Sequence, residues 1–139
     1  MSQEGKFRLE VVTPHRLLIS EMVDEVTAPG VEGEFGVLVG HTPFLTELGV
    51  GVLMYRNGNQ AHFMAVRRGF AEVTREKVTV LAEEAEFPRE IDLARAEADL
   101  AEAENAIKEF SAESKEHMEV QAKLDRALNR IHLAKHGTH

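Results

Sequence analysis

The feature that most limits how this chain can fold is a change of hydrophobic period near Phe87-Pro88-Arg89-Glu90. Before that point, short alternating apolar and polar runs are separated by Gly, Asn and Pro. After it there is no proline, and Gly137 is the only glycine. Alternation with period two fits strands exposed on one face, whereas apolar residues every three or four positions fit amphipathic helices. A length of 139 residues allows one domain or two small ones. The expected fold is therefore β + α. Residues 1–87 form an N-terminal flattened β-sandwich or barrel, and residues 88–139 form a C-terminal antiparallel α-helical hairpin.

Within the first part, Phe7, Leu9 and Val11 alternate with Arg8 and Glu10. Val50 to Tyr55 is apolar on both faces, as an inner strand would be. Arg56-Asn57-Gly58-Asn59 follows, and its Asn-Gly pair suits a type I′ hairpin in which both central residues need positive φ. His62 to Val66 is the returning strand. Phe70 to Thr74 and Lys77 to Ala82 form a second hairpin turning at Arg75-Glu76. Several short strands at this spacing point to a sandwich or barrel.

The second part carries two stripes. Leu93, Ala96, Leu100, Ala103, Ile107 and Phe110 are spaced as a helix seam, and so are Val120, Leu124, Ala127, Ile131 and Ala134. Ser111-Ala112-Glu113-Ser114 between them can stop one helix and cap the next. Alanine at so many contact positions allows close approach but buries little apolar area, at roughly 25 cal/mol per Å². Such a hairpin is marginal alone and able to exchange one packing partner for another. Charge is divided along it. Residues 90–119 hold ten acidic side chains against Arg95, Lys108 and Lys115, whereas residues 120–139 hold Lys123, Arg126, Arg130 and Lys135 against Asp125 alone. This pattern serves either complementarity between the two helices or attraction to an acidic partner.

Composition excludes several functions. With 16 basic and 24 acidic residues the net charge is -8, which argues against non-specific nucleic-acid binding. No cysteine is present, so disulfides, thiolate catalysis and cysteine zinc sites are impossible. The first six residues contain no apolar segment of a secretory signal. No apolar run reaches the ~20 residues of a membrane helix, so membrane association is expected only through a complex. His132, His136 and His139 share a helical spacing, but exposed, non-ligating imidazoles are expected, with no metal site. His41 is read as a hydrogen-bonded turn residue and not as a catalytic base, since no nucleophile or carboxylate constellation accompanies it.

Three stretches resemble the ε subunit of F-type ATP synthases of the bacterial type. They are Gly33-Glu34-Phe35-Gly36-Val37-Leu38-Val39-Gly40-His41-Thr42-Pro43-Phe44-Leu45-Thr46; Gly69-Phe70-Ala71-Glu72-Val73 with Val78-Thr79-Val80-Leu81-Ala82; and Ile91-Asp92-Leu93-Ala94-Arg95-Ala96. Two positions depart from the family pattern. Val39 replaces a proline, loosening the turn before Gly40-His41. Arg68 replaces a frequent second glycine at a place that needs unusual φ and space.

The resemblance implies a non-catalytic central-stalk subunit of a proton- or sodium-translocating enzyme, peripheral on the cytoplasmic face of the bacterial inner membrane. Its implied partners are the γ subunit, the c-ring and the α/β subunits. Glu32, Gly33 and Glu34 match the segment that meets the c-ring. The helical hairpin would inhibit ATP hydrolysis by extending into the α/β hexamer, with Lys123, Arg126, Arg130 and Lys135 facing acidic segments there. The family's ATP-binding motif falls on Glu86, Asp92, Arg95, Ala96, Arg126 and Arg130. No cofactor is required, and ATP would be a regulatory ligand. Asp92 and Arg95 share a helix face, as do Arg126 and Arg130, and guanidiniums can hold phosphate oxygens bidentately. Ala96 would leave room for an adenine ring. From periodicity alone, a free-standing β-sandwich adaptor with a coiled-coil dimerisation arm fits equally well. A small hydrolase using His41 is the remote third reading.

Overall fold

The computed structural model describes residues 5–136. Seven strands come first: β1 (Phe7–Val12), β2 (Leu17–Val23), β3 (Glu25–Gly30), β4 (Gly33–Leu38), β5 (Phe44–Asn57), β6 (Gln60–Val73) and β7 (Lys77–Glu86). A 3-10 turn at Pro88–Glu90 leads into α1 (Leu93–Ala106). A second, at Ile107–Glu109, precedes α2 (Lys115–His136). The β-sandwich followed by a helical hairpin is as expected.

All seven strands are hydrogen-bonded in one sheet, in the order β2-β1-β7-β6-β5-β3-β4. Only the β1–β7 pair is parallel. The sheet becomes a sandwich by doubling over along a line through Gly49, Arg68 and Glu83. The ladders name no partners at Gly49–Arg68 or Arg68–Glu83, although the register on either side is continuous. Across this line the core-facing parity changes. On β6, Met64 and Val66 are buried before it, and Ala71 and Val73 after it. On β5, Leu48 gives way to Leu53 and Tyr55. A side-chain period of two cannot change face without such an interruption.

Arg68 makes the change possible. It is the only non-glycine at positive φ among the described residues, at 59°, and Gly69 follows at 127°. The glycine-like conformation expected at Arg68 is therefore adopted. A Cβ at Gly69 would lie 1.9 Å from the Leu81 carbonyl oxygen, so that position excludes any side chain. His62–Val66 and Phe70–Thr74, which read as two strands, are consequently one long bent strand.

The first hairpin also differs from expectation. Asn57 pairs with Gln60, so Gly58 and Asn59 are the central residues. Gly58 has φ 65° and Asn59 is not at positive φ. A glycine at the first central position alone is the type II′ pattern, not type I′ on Asn57-Gly58. Tertiary contacts set this register. Lys6 donates to the Asn57 side chain and Gly58 N–H donates to the Asp24 carboxylate, at 2.9 and 2.7 Å. The second turn is at Arg75-Glu76, as read, closed by Thr74 N–H donating to Lys77 O.

The core is made by Phe7, Leu9, Val26, Leu53, Met64 and Val80 with their neighbours from every strand, and Phe87 packs against its margin. The hairpin contributes little. Its buried residues are Ala96, Ala103, Ala127 and Leu133. Leu93, Leu100, Leu124 and Ile131 are half-buried along the expected seams, whereas Phe110 is exposed beyond the end of α1. Leu133, outside the predicted stripe, is buried because α2 must face the sheet as well as α1. Ser114 caps α2 by accepting from His117 N–H at 3.0 Å, as its position suggested. None of the described helices is long and apolar enough to cross a membrane.

Candidate functional site

Polar side chains on one face of α2 contact the sandwich. Arg126, Asn129 and Arg130, spaced i, i+3 and i+4, share that face. Arg126 Nε donates to Glu84 on β7 at 2.5 Å. Arg130 donates twice to Glu86 on the same strand, at 2.5 and 3.4 Å. Asn129 Nδ2 donates to the Gly51 carbonyl of β5 at 2.8 Å. Ala65 is buried beneath this face but outside the main core.

The charges extend in two directions. Arg67 of β6 also donates to Glu84, at 3.1 Å, so two guanidiniums share one carboxylate. Burial pushes the Glu84 carboxyl up, but the hydrogen bonds from Arg126 and Arg67 outweigh it and hold it below the usual range. The Glu84 hydrogen bond in turn raises Arg126, against its own desolvation. On α1, Asp99 accepts from Arg95 at 3.2 Å and lies 4.0 Å from Arg130.

The structure thus gathers Glu86, Arg126 and Arg130, with Arg95 joined to Arg130 through Asp99. Asp92 stands apart as the N-cap of α1, its carboxylate accepting from Arg95 N–H at 3.0 Å. Ala96 is fully buried. One cavity, of about 230 Å³, has Glu86 and Arg126 in its lining, and a larger one of about 530 Å³ lies further along the hairpin. Ala103, Ala106, Val120, Lys123, Arg126 and Arg68 are among the residues lining the larger one. Of the motif, only Arg126 reaches it. Asp99, Glu84, Arg67 and Asn129 were not singled out in the sequence. Asp99 carried a signal, four residues beyond Arg95 on one helix face; the β7 and β6 partners carried none.

The basic residues of α2 serve both the sheet and the neighbouring helix, where Arg130 also approaches Asp99. Among the described residues Lys135 pairs with Glu97 of α1 at 3.8 Å, but Arg126 and Arg130 reach across to β7.

Glu32 and Glu34 are exposed at the β3–β4 turn, where Gly30 pairs with Gly33 and Gly33 takes φ 127°. On the outer face of the other half of the sheet, register aligns Leu17, Val12, Leu81 and Phe70 across β2, β1, β7 and β6. Leu17, Leu81 and Phe70 are each more than half exposed. Such a contiguous apolar row is characteristic of an interaction surface.

His41 is the turn residue expected. Its ring nitrogens lie against the Leu38 and Thr74 carbonyls, and its ring meets Phe7 edge-on. The His132 and His136 rings are 5.1 Å apart, and no group of three potential metal ligands is found among the described residues. His139 and the first four residues lie outside them.

Comparison with known proteins agrees with this architecture. Residues 6–88 match the family described as "ATP synthase, Delta/Epsilon chain, beta-sandwich domain". Residues 89–135 match its "long alpha-helix domain". The chain belongs to the epsilon subunits of F-type ATP synthases. The epsilon chain of Trichlorobacter lovleyi is 50% identical over 93% of this chain and 94% of its own length. Epsilon chain 2 of Syntrophotalea carbinolica is 48% identical over 95% and 96%. Among solved structures, a chain of the Euglena gracilis mitochondrial ATP synthase, determined with OSCP, F1 and c-ring, superposes with a TM-score of 0.81. It is 25% identical, with 95% of this chain and 82% of that chain covered. A chain of the Tetrahymena thermophila enzyme shares the fold, with a TM-score of 0.53.

Proposed function

We propose that this epsilon subunit is a non-catalytic rotor component that couples the γ subunit to the c-ring and restrains ATP hydrolysis through its helical hairpin. The observation that carries the reading is the sparseness of the hairpin's apolar seal. Four of its side chains are buried, three of them alanines, whereas the sandwich has a continuous core. At roughly 25 cal/mol per Å² this little area can be exchanged for another surface without unfolding the sandwich.

The apolar row Leu17–Val12–Leu81–Phe70 is the face offered to γ. The Glu32–Gly33–Glu34 turn is offered to the c-ring. In the extended state Lys123, Arg126, Arg130 and Lys135 would meet acidic segments of α/β. Attachment to the cytoplasmic face of a bacterial inner membrane would come through the complex, whichever of proton or sodium is coupled. Removal of residues 88–139 should raise ATPase activity of the assembled enzyme. Unchanged activity would end the regulatory reading.

ATP is proposed as the regulatory ligand of the compact form. Arg126 and Arg130 are close enough to act together, and the larger cavity beside Arg126 has the volume of a nucleotide-sized site. Both guanidiniums are held by carboxylates, which phosphate oxygens would have to replace. A ligand that binds only the compact state stabilises it by about 2.7 kcal/mol at one hundred times its Kd. Calorimetry on the isolated subunit tests this, and no binding up to millimolar ATP would dismiss it.

A further inference from the structure

Two adjacent acids on β7 have different tasks. Glu83 approaches Arg67 and Arg68, both on β6, and so stays within the sheet. Glu84, one residue on, reaches Arg126 of α2, and Glu86 reaches Arg130. Between these arginines Asn129 binds a main-chain carbonyl of β5. Three contacts from one helix face thus fall on two strands.

We infer that Arg126, Asn129 and Arg130, with Glu84, Glu86 and the Gly51 carbonyl, form a polar latch that keeps the hairpin on the sandwich. The inference rests on the proposed mobility of the hairpin and adds the identity of the contacts that break. A polar latch suits a reversible joint. On release, both partners of each pair return to water, so no charge is left buried and unpaired. The Arg130–Glu86 pair is the better shielded while closed, at 11% and 24% exposed, against 33% and 41% for Arg126–Glu84. Arg130 can keep its approach to Asp99, because Asp99 travels with the hairpin.

The test uses the full-length isolated chain, which has no native cysteine. Cysteines introduced at the exposed positions Ala61 and Leu128 carry spin labels, and the distance distribution gives the docked and released populations. E84Q/E86Q and R126Q/R130Q should each lower the docked-to-released ratio roughly twenty-fivefold, each pair contributing about fivefold. E83Q should leave it unchanged. Combining all four substitutions should add little to either double variant, since the partners act as pairs. The sandwich core is untouched in every case, so the variants should keep wild-type circular dichroism. Unchanged populations in both double variants would overturn the latch in favour of an apolar seal. Release by the arginine variant alone would overturn the assignment of Glu84 and Glu86. A truncation that fails to activate the assembled enzyme would refute the regulatory reading while leaving these distances as they are.

Discussion

Replacing Gly69 with alanine tests the claim that the sandwich is made by folding one sheet along a line. The new Cβ would sit 1.9 Å from the Leu81 carbonyl oxygen, 2.9 Å from its carbon and 3.0 Å from Ala82 Cα. All three atoms are backbone of β7 and cannot rotate away. Reaching ordinary contact requires the strands to part by about 1.5 Å, in the stretch where Gly69 pairs with Ala82 and Phe70 with Leu81. Holding alanine at φ 127° adds strain. Backbone strain of about 1–3 kcal/mol and overpacking of about 1–3 kcal/mol together give roughly 3–5 kcal/mol. For a unit of this size that is a fall in Tm of roughly 15–25 °C. Thermal melts and urea titrations by circular dichroism measure it. Arg68→Gly is the matched comparison. It relieves a left-handed residue at about 1 kcal/mol, increases unfolded-state freedom at a similar cost, and loses only an exposed 3.8 Å pair with Glu83. Its stability should stay within about 0.5 kcal/mol of wild type. A Gly69→Ala protein within 1 kcal/mol of wild type would refute the reasoning.

Tyr55 is the sole tyrosine, and there is no tryptophan, so its ionisation can be followed by ultraviolet absorbance. Burial, aided by Glu21, pushes its phenol up to about 12. The folded value is raised, so this group's contribution of about 2–3 kcal/mol is complete below about pH 10 and lost as pH rises through 12; titration near 10 in the folded protein would contradict the burial. Phe70→Ser with Leu81→Ser removes exposed apolar surface, so stability should change by no more than about 1 kcal/mol, while affinity for γ in a pull-down should fall at least tenfold; full retention of binding would place that face elsewhere. Ser114→Ala removes the α2 cap and should cost about 1 kcal/mol of helix stability, measured as faster amide exchange in the first turn of α2; unchanged exchange would show that the cap is not needed.

The legible parts of this protein were those written in local pattern. The break at Phe87-Pro88, the β + α order, the turn at Arg75-Glu76 and the Ser114 cap depend on neighbours within a few residues, where period and capping chemistry act directly. The resemblance carried by the Gly33–Thr46, Gly69–Ala82 and Ile91–Ala96 stretches added the family. Arg126 and Arg130 show their shared face through helical spacing, and the family resemblance groups Glu86 with them; Glu84, which receives Arg126, lies more than forty positions away in sequence and carries no local signal.

Tertiary structure alone decided the type II′ turn at Gly58-Asn59, because Lys6 and Asp24 fix its register from elsewhere in the chain. It alone decided that two apparent strands are one, bent at Arg68-Gly69, and that Leu133 is buried. Local sequence sets the period and punctuation of each element through backbone sterics and side-chain direction. Which elements meet, and which carboxylate receives which guanidinium, depends on contacts between residues far apart in sequence, and these exist only after the sheet has folded over and the hairpin has been laid against it.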